Sequence, residues 1–138
     1  MKVMVTFIIT VLLVVFYWGW LFTMPDVTYT EKDFLKYYLL TRKEIRNAPR
    51  LSEDYYFEYG RSDESDPESS VIYTCGLSNV DEGYERLLSY VKKTGITLSE
   101  GYSWDNPPKR GEEYFYLGKI SRNGDEECLM LMLSESFN

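Results

Sequence analysis

The chain has 138 residues, with 22 acidic side chains, 15 basic ones, a formal net charge of −7 and no histidine. The missing imidazole excludes Ser-His-Asp and Cys-His catalysis, and with it the commonest general base and transition-metal ligand. The two cysteines, Cys75 and Cys128, are too few for a structural zinc site, which takes four thiolate or imidazole ligands.

The first element is apolar. From Val3 to Met24 no residue carries a charge, and about 20 apolar residues in a helix cross a hydrocarbon core. Tyr17, Trp18 and Trp20 gather near the end of this stretch, where amphipathic rings prefer the headgroup level. Pro25 cannot continue the helix. A cleaved secretory signal has a shorter apolar region and small residues at the cleavage site. Here the candidate pairs Leu21/Thr23 and Tyr17/Gly19 place a large residue where a small one is required. Residues 1–25 are therefore read as an uncleaved transmembrane signal anchor, and residues 26–138 as one soluble acidic α+β domain. Lys2 favours a cytoplasmic N-terminus, whereas Lys32, Lys36, Arg42 and Lys43 lie close on the other side. Because long domains translocate largely regardless of charge, the expectation is a periplasmic or otherwise extracytoplasmic domain.

All 22 acids and 14 of the bases follow Met24, a balance of −8. Six bases and three acids fall between Thr30 and Arg50. From Leu51 onward there are eight bases and 18 acids, so a basic membrane-near segment precedes an acidic body. Such a body can steer a basic partner but does not suit phosphate contact, so no nucleic-acid binding is expected.

Within the domain, Thr30 with Glu31 and Asp33 looks like a helix start leading into Phe34–Leu40. Thr41-Arg42-Lys43-Glu44 reads as a capping box for a short helical turn that ends before Pro49. Asp54–Tyr59 alternates as a strand, with Tyr55, Phe57 and Tyr59 on one face and Tyr56 and Glu58 on the other. A polar loop containing Asp63, Glu64, Asp66 and Glu68 leads to a second strand, Val71–Cys75. Ser78 is read as the cap of a helix from about Asn79 to Thr94, where Val80, Tyr84, Leu87, Leu88 and Val91 form one apolar stripe closed by Gly95. Strands are then expected over 96–103, 113–121 and 127–133. Asn123-Gly124 marks the last hairpin, because that pair accepts the positive φ angles of a type I′ turn. The fold class expected is α+β, in which an N-terminal transmembrane helix precedes two helices packed on a mostly antiparallel sheet of about five strands.

The chemistry available is sparse. There is no phosphate-cradling glycine loop. Asp63-Glu64-Ser65-Asp66 shares only its acidity with a calcium loop and lacks the required spacing. No cofactor, metal or catalytic residue is expected, and the chain is read as a non-enzyme. Cys75 and Cys128 fall on strands; an oxidising compartment would pair them, and the cytoplasm would leave two buried thiols.

The excess is aromatic, with 13 tyrosines and three tryptophans. Tyr55, Tyr56 and Tyr59 border the acidic loop, and Tyr102, Trp104 and Asp105 lead into the rigid Asn106-Pro107-Pro108. Tyrosine and tryptophan are enriched at binding hot spots. These residues, with the loop acids Asp63, Glu64, Asp66 and Glu68, are the candidate partner-binding site. In architecture, though not through any motif, the chain is similar to small envelope-tethered bacterial immunity proteins. That resemblance implies a domain that binds and blocks a toxic enzyme, and the acidic body suits a basic one. A structural or accessory subunit of a cell-envelope assembly would share the same outline.

Overall fold

The computed structural model describes residues 1–23, 26–61, 68–99 and 109–136, with only the backbone described over 21–23. Helix α1, Lys2–Thr23, is long and apolar enough to cross a membrane. Its side chains are exposed from Lys2 to Trp20. The Thr6 and Thr10 hydroxyls donate to the carbonyls of Lys2 and Thr6, each at 2.9 Å, which satisfies both polar groups inside the helix.

The domain holds β1 (Asp26–Tyr29), α2 (Phe34–Leu40), α3 (Lys43–Arg46), β2 (Asp54–Gly60) and β3 (Ser69–Cys75). After these come α4 (Val80–Thr94), β4 (Thr97–Leu98), β5 (Glu113–Arg122) and β6 (Glu126–Glu135). One sheet runs in the order β1-β2-β3-β6-β5-β4, antiparallel throughout except for the parallel pair β4 and β5. The α+β class is as expected, but the described residues contain six strands rather than five and three domain helices rather than two. The additional strand is β1, which is not among the expected elements; the third helix, α3, is the short turn expected between Thr41 and Pro49. Of the strand expected over 96–103, Thr97–Leu98 is a strand, and residues 100–103 lie outside the described residues.

Each ladder keeps one register along its length, so side chains alternate strictly between the two sheet faces. One face carries Phe57, Ile72, Leu131 and Leu117 in a single row across β2, β3, β6 and β5. Neighbouring rows add Leu133, Phe115 and Leu129. Together with Ile45 of α3 and Leu87 and Val91 of α4, they form the buried core. The apolar stripe of α4 therefore does what its period implies. Its cap is Asn79 rather than Ser78: the Asn79 side chain accepts the Glu82 amide at 3.1 Å. Gly95 ends the helix at φ 76°, in the left-handed region that glycine enters without a Cβ clash.

Two other caps differ from expectation. The Asp33 carboxylate accepts the Thr30 amide at 3.2 Å, holding 30–33 in a turn, and α2 begins only at Phe34. The Thr41 hydroxyl is 2.7 Å from the Tyr29 hydroxyl, a buried pair that ties α2 to β1, so it does not cap α3. Burial raises the Tyr29 pKa. Arg50 secures the same region from the other side. It donates to Glu31, to the Tyr37 hydroxyl and to the carbonyls of Arg46 and Ala48, and it lies over the rings of Tyr55 and Phe57.

Candidate functional site

The second face of the sheet is formed by every other residue of the same strands, and none of the described helices covers it. Its rows follow from the registers. Tyr56, Tyr73, Met130 and Gly118 lie side by side across four strands. The next row is Thr28, Glu58, Val71, Met132 and Tyr116. On the far side of the first row lie Cys75, Cys128 and Ile120, and beyond the second lies Tyr114.

A solvated antiparallel face normally carries polar side chains. This one carries four tyrosines, two methionines, an isoleucine and a valine. Val71 and both cysteines are buried beneath their neighbours, while the tyrosines and methionines are half-buried. Tyr56 and Tyr73 stack with ring centroids 4.9 Å apart. The Tyr116 ring folds flat over Gly118, so close that a Cβ at that position would lie 2.9 Å from the ring edge. Glycine is thus required there for the ring to lie flat.

Cys75 and Cys128 are joined in a disulfide with their Cα atoms 4.4 Å apart. The spacing suits directly opposed residues of neighbouring strands at a non-hydrogen-bonded position.

The charge on this face is negative. Asp26, Asp54, Glu58 and Glu126 project there, with one cation, Arg122. That guanidinium is held by Asp54 at 2.6 Å and Glu126 at 2.7 Å. Arg122 keeps its proton more tightly than usual for this reason, and the bond to it holds the Asp54 carboxyl below its ordinary range. Glu58 accepts a 3.3 Å hydrogen bond from the Tyr73 hydroxyl. Burial first, and then the Glu58 charge, push the Tyr73 pKa up to about 12. The phenol therefore stays a neutral donor.

The structure separates the residues nominated from the sequence. Tyr56 lies on the open face. Tyr55 and Tyr59 point the opposite way, into the helix-covered side, where Tyr55 meets Arg50 and Phe57. Glu68 is exposed just before β3, and its carbonyl accepts the Ser134 hydroxyl at 3.0 Å. Asp63, Glu64, Asp66, Tyr102, Trp104 and Asp105 lie outside the described residues. Sequence reasoning missed Tyr73, Tyr114, Tyr116, Met130 and Met132. Their signal was present in the period-two pattern of β3, β5 and β6, which carry large apolar or aromatic side chains on both faces.

Elsewhere the surface offers less. A shallow, open depression beside α4 is lined by Asn47, Pro49, Arg86, Ser89, Tyr90 and Lys93. The Tyr90 hydroxyl there is committed to the Glu44 carbonyl at 2.6 Å. Among the described residues no cluster of three or more His, Cys, Asp or Glu side chains is placed to hold a metal ion. No protein-family model, curated protein or solved structure matches the chain.

Proposed function

We propose that this chain is a membrane-anchored, extracytoplasmic binding protein of the immunity or inhibitor kind, which neutralises a toxic enzyme by holding it against the helix-free face of the sheet. The observation that carries this reading is the face itself. It presents half-buried tyrosines and methionines over a rigid sheet, and its charges are acidic or already paired. Aromatic side chains immobilised by packing give contact area at small entropic loss, which is the character of binding hot spots. Adaptable thioethers add fit. The surrounding carboxylates favour a basic partner and speed encounter with it. The acids Asp63, Glu64, Asp66 and Glu68, in the segment that joins Gly60 to its partner Ser69, are proposed to add to that field. Tyr102, Trp104 and Asp105 remain proposed contacts.

Two features support the location. Helix α1 is uncharged after Lys2, and its Thr6 and Thr10 hydroxyls are satisfied inside the helix, which favours retention in a bilayer. The disulfide between Cys75 and Cys128 supports an oxidising compartment.

The test starts from capture of the partner from envelope extracts on the full chain in lipid nanodiscs, followed by kinetics on the purified pair. The captured enzyme should lose activity when bound. Tyr56→Ala and Tyr116→Ala should each weaken binding by about 2 kcal/mol, or about 30-fold, through faster dissociation. Neutralising Asp63, Glu64, Asp66 and Glu68 together should instead slow association and flatten its salt dependence. A partner belonging to an envelope assembly, with no activity blocked, would replace the inhibitor reading with that of an accessory subunit. Unchanged binding by all of these variants, each still folded, would move the interface off this face.

A further inference from the structure

Helix α2 is amphipathic in an unusual sense, because its outward side is as apolar as its inward side. Tyr37 and Leu40 pack on the core. Phe34, Leu35, Tyr38 and Leu39, at helical spacing i, i+1, i+4 and i+5, face outward and are 64%, 48%, 53% and 51% exposed. They are the exposed large hydrophobic side chains of the described domain; the others are Met1 and residues of α1. Phe34 and Tyr38 pack on each other at 4.6 Å, and the Arg46 guanidinium lies over the Tyr38 ring at 5.3 Å. Lys32, Lys36 and Lys43 flank the patch in sequence, with the acids Asp33 and Glu44 among them; the three lysines form no ion pair among the described residues, whereas Glu31 is engaged by Arg50.

Two facts of chain geometry say what this patch meets. Only residues 24 and 25 separate the end of α1 from Asp26, the first residue of the sheet. Three Cα–Cα steps reach about 11 Å at most, so a membrane-spanning α1 keeps the start of β1 at the bilayer surface. The end of α2 closes on the same end of the sheet. The Arg42 amide donates to Ser70 Oγ at 3.1 Å, and Ser70 lies in the row of Val27, next to Asp26. The greasy, lysine-flanked helix is thus held beside the point where the chain enters the membrane. Aromatic and leucine side chains flanked by lysines are the composition that seats in a lipid interface, where anionic headgroups attract the cations.

We infer that the outer side of α2 docks into the anionic surface of the bilayer spanned by α1. The inference rests on the reading of α1 as an anchor and deepens it. Because α2 belongs to the helix layer, docking turns the opposite, helix-free face of the sheet toward solvent.

The test uses the full chain carrying Phe34→Trp, with Trp18, Trp20 and Trp104 each replaced by Phe, reconstituted into vesicles containing phosphatidylglycerol and bromine-labelled acyl chains. Phe34 is exposed, and an indole in its place can keep the ring contact with Tyr38. The introduced indole should emit at shorter wavelength and lose about half of its intensity to bromine, as a ring about 5–10 Å below the headgroups does. Replacing phosphatidylglycerol by phosphatidylcholine, or making Lys32→Glu, Lys36→Glu and Lys43→Glu together, should weaken the quenching. An indole with the emission of water and no quenching in either lipid overturns the inference. So does a blue shift that grows with protein density but resists bromine, which would assign the patch to a second copy of the chain. Flotation of the same vesicles after an alkaline wash separates the two readings. A chain that stays in the pellet overturns the anchor and the docking together, whereas a chain that floats with an unquenched indole overturns the docking alone.

Discussion

The two faces of the sheet are built from the same strands and differ in what covers them. On one, Phe57, Ile72, Leu131, Leu133, Phe115 and Leu129 lie beneath α3 and α4 and are buried. On the other, Tyr56, Tyr73, Tyr116, Met130 and Met132 are equally large but only half-buried. The covered face is packed for stability. The open face keeps large apolar and aromatic side chains in contact with water, a state that folding alone does not favour and that binding can relieve. The charges differ as well. The helix layer and its connections mix Lys32, Lys36, Lys43, Arg46, Arg86, Lys92 and Lys93 with acids such as Glu44, Asp81 and Glu82, while the open face carries carboxylates and one doubly paired arginine.

The largest expected effect sharpens this contrast. Phe57→Ala should destabilise the full chain in detergent micelles by about 3–5 kcal/mol, whereas Met132→Ala on the open face should do so by about 1 kcal/mol; urea unfolding checks both. Near-equal losses would mean that the open face is also a packed core. Next comes the disulfide, which clips two strands across a sequence separation of 53. Reduction, or Cys75→Ser with Cys128→Ser, should lower stability by about 2–4 kcal/mol in the same assay. Alkylation of the unfolded protein should label neither cysteine until it is reduced. Arg50→Ala should follow at about 2 kcal/mol, since it strands the Glu31 carboxylate and two carbonyls. The hydrogen bond from Arg50 holds the Glu31 pKa below its ordinary value. Its small stabilising share is therefore present above the ordinary carboxylate range and is lost as pH falls through the lowered value.

The smallest effect is a titration. Tyr73 ionises at about 12 rather than its ordinary value of 10.0 because of burial and the Glu58 carboxylate. A raised pKa means that its contribution to stability is complete below pH 10 and disappears as pH rises through about 12. Phenolate absorbance should include a component that titrates at about 12, and Glu58→Gln should move it to lower pH. No late tyrosine would mean that water reaches Tyr73 freely.

Local pattern carried much of this fold. The α4 stripe, the Gly95 stop and the Asn123-Gly124 hairpin were readable because each is encoded within a few residues. Asn123 and Gly124 do take positive φ, 54° and 88°, within a three-residue connection. What was not readable depends on distant partners. β1 is a strand only because β2 offers it an edge, and Thr41 abandons its expected cap because Tyr29 lies across from it. The site suffered most. Tyr55, Tyr56 and Tyr59 are adjacent in sequence but divided by the pleat. The face that Tyr56 joins is completed by Tyr73, Tyr116, Met130 and Met132 from strands far along the chain. The alternation in β6 showed two apolar faces; only the placement of the helices distinguishes the covered one from the open one.

The central claim is that the open face is where a partner sits, and the methionines report on it directly. The chain has five, and the domain's two, Met130 and Met132, both lie on that face. Methionine sulfoxide forms where peroxide reaches the thioether. The measurement is the rate of oxidation of each methionine in the full chain in nanodiscs, with and without the captured partner, followed by mass spectrometry. The account predicts that Met130 and Met132 slow together when the partner binds, while Met1 and Met4 keep their rates. Bound partner with unchanged oxidation at Met130 and Met132 would contradict it.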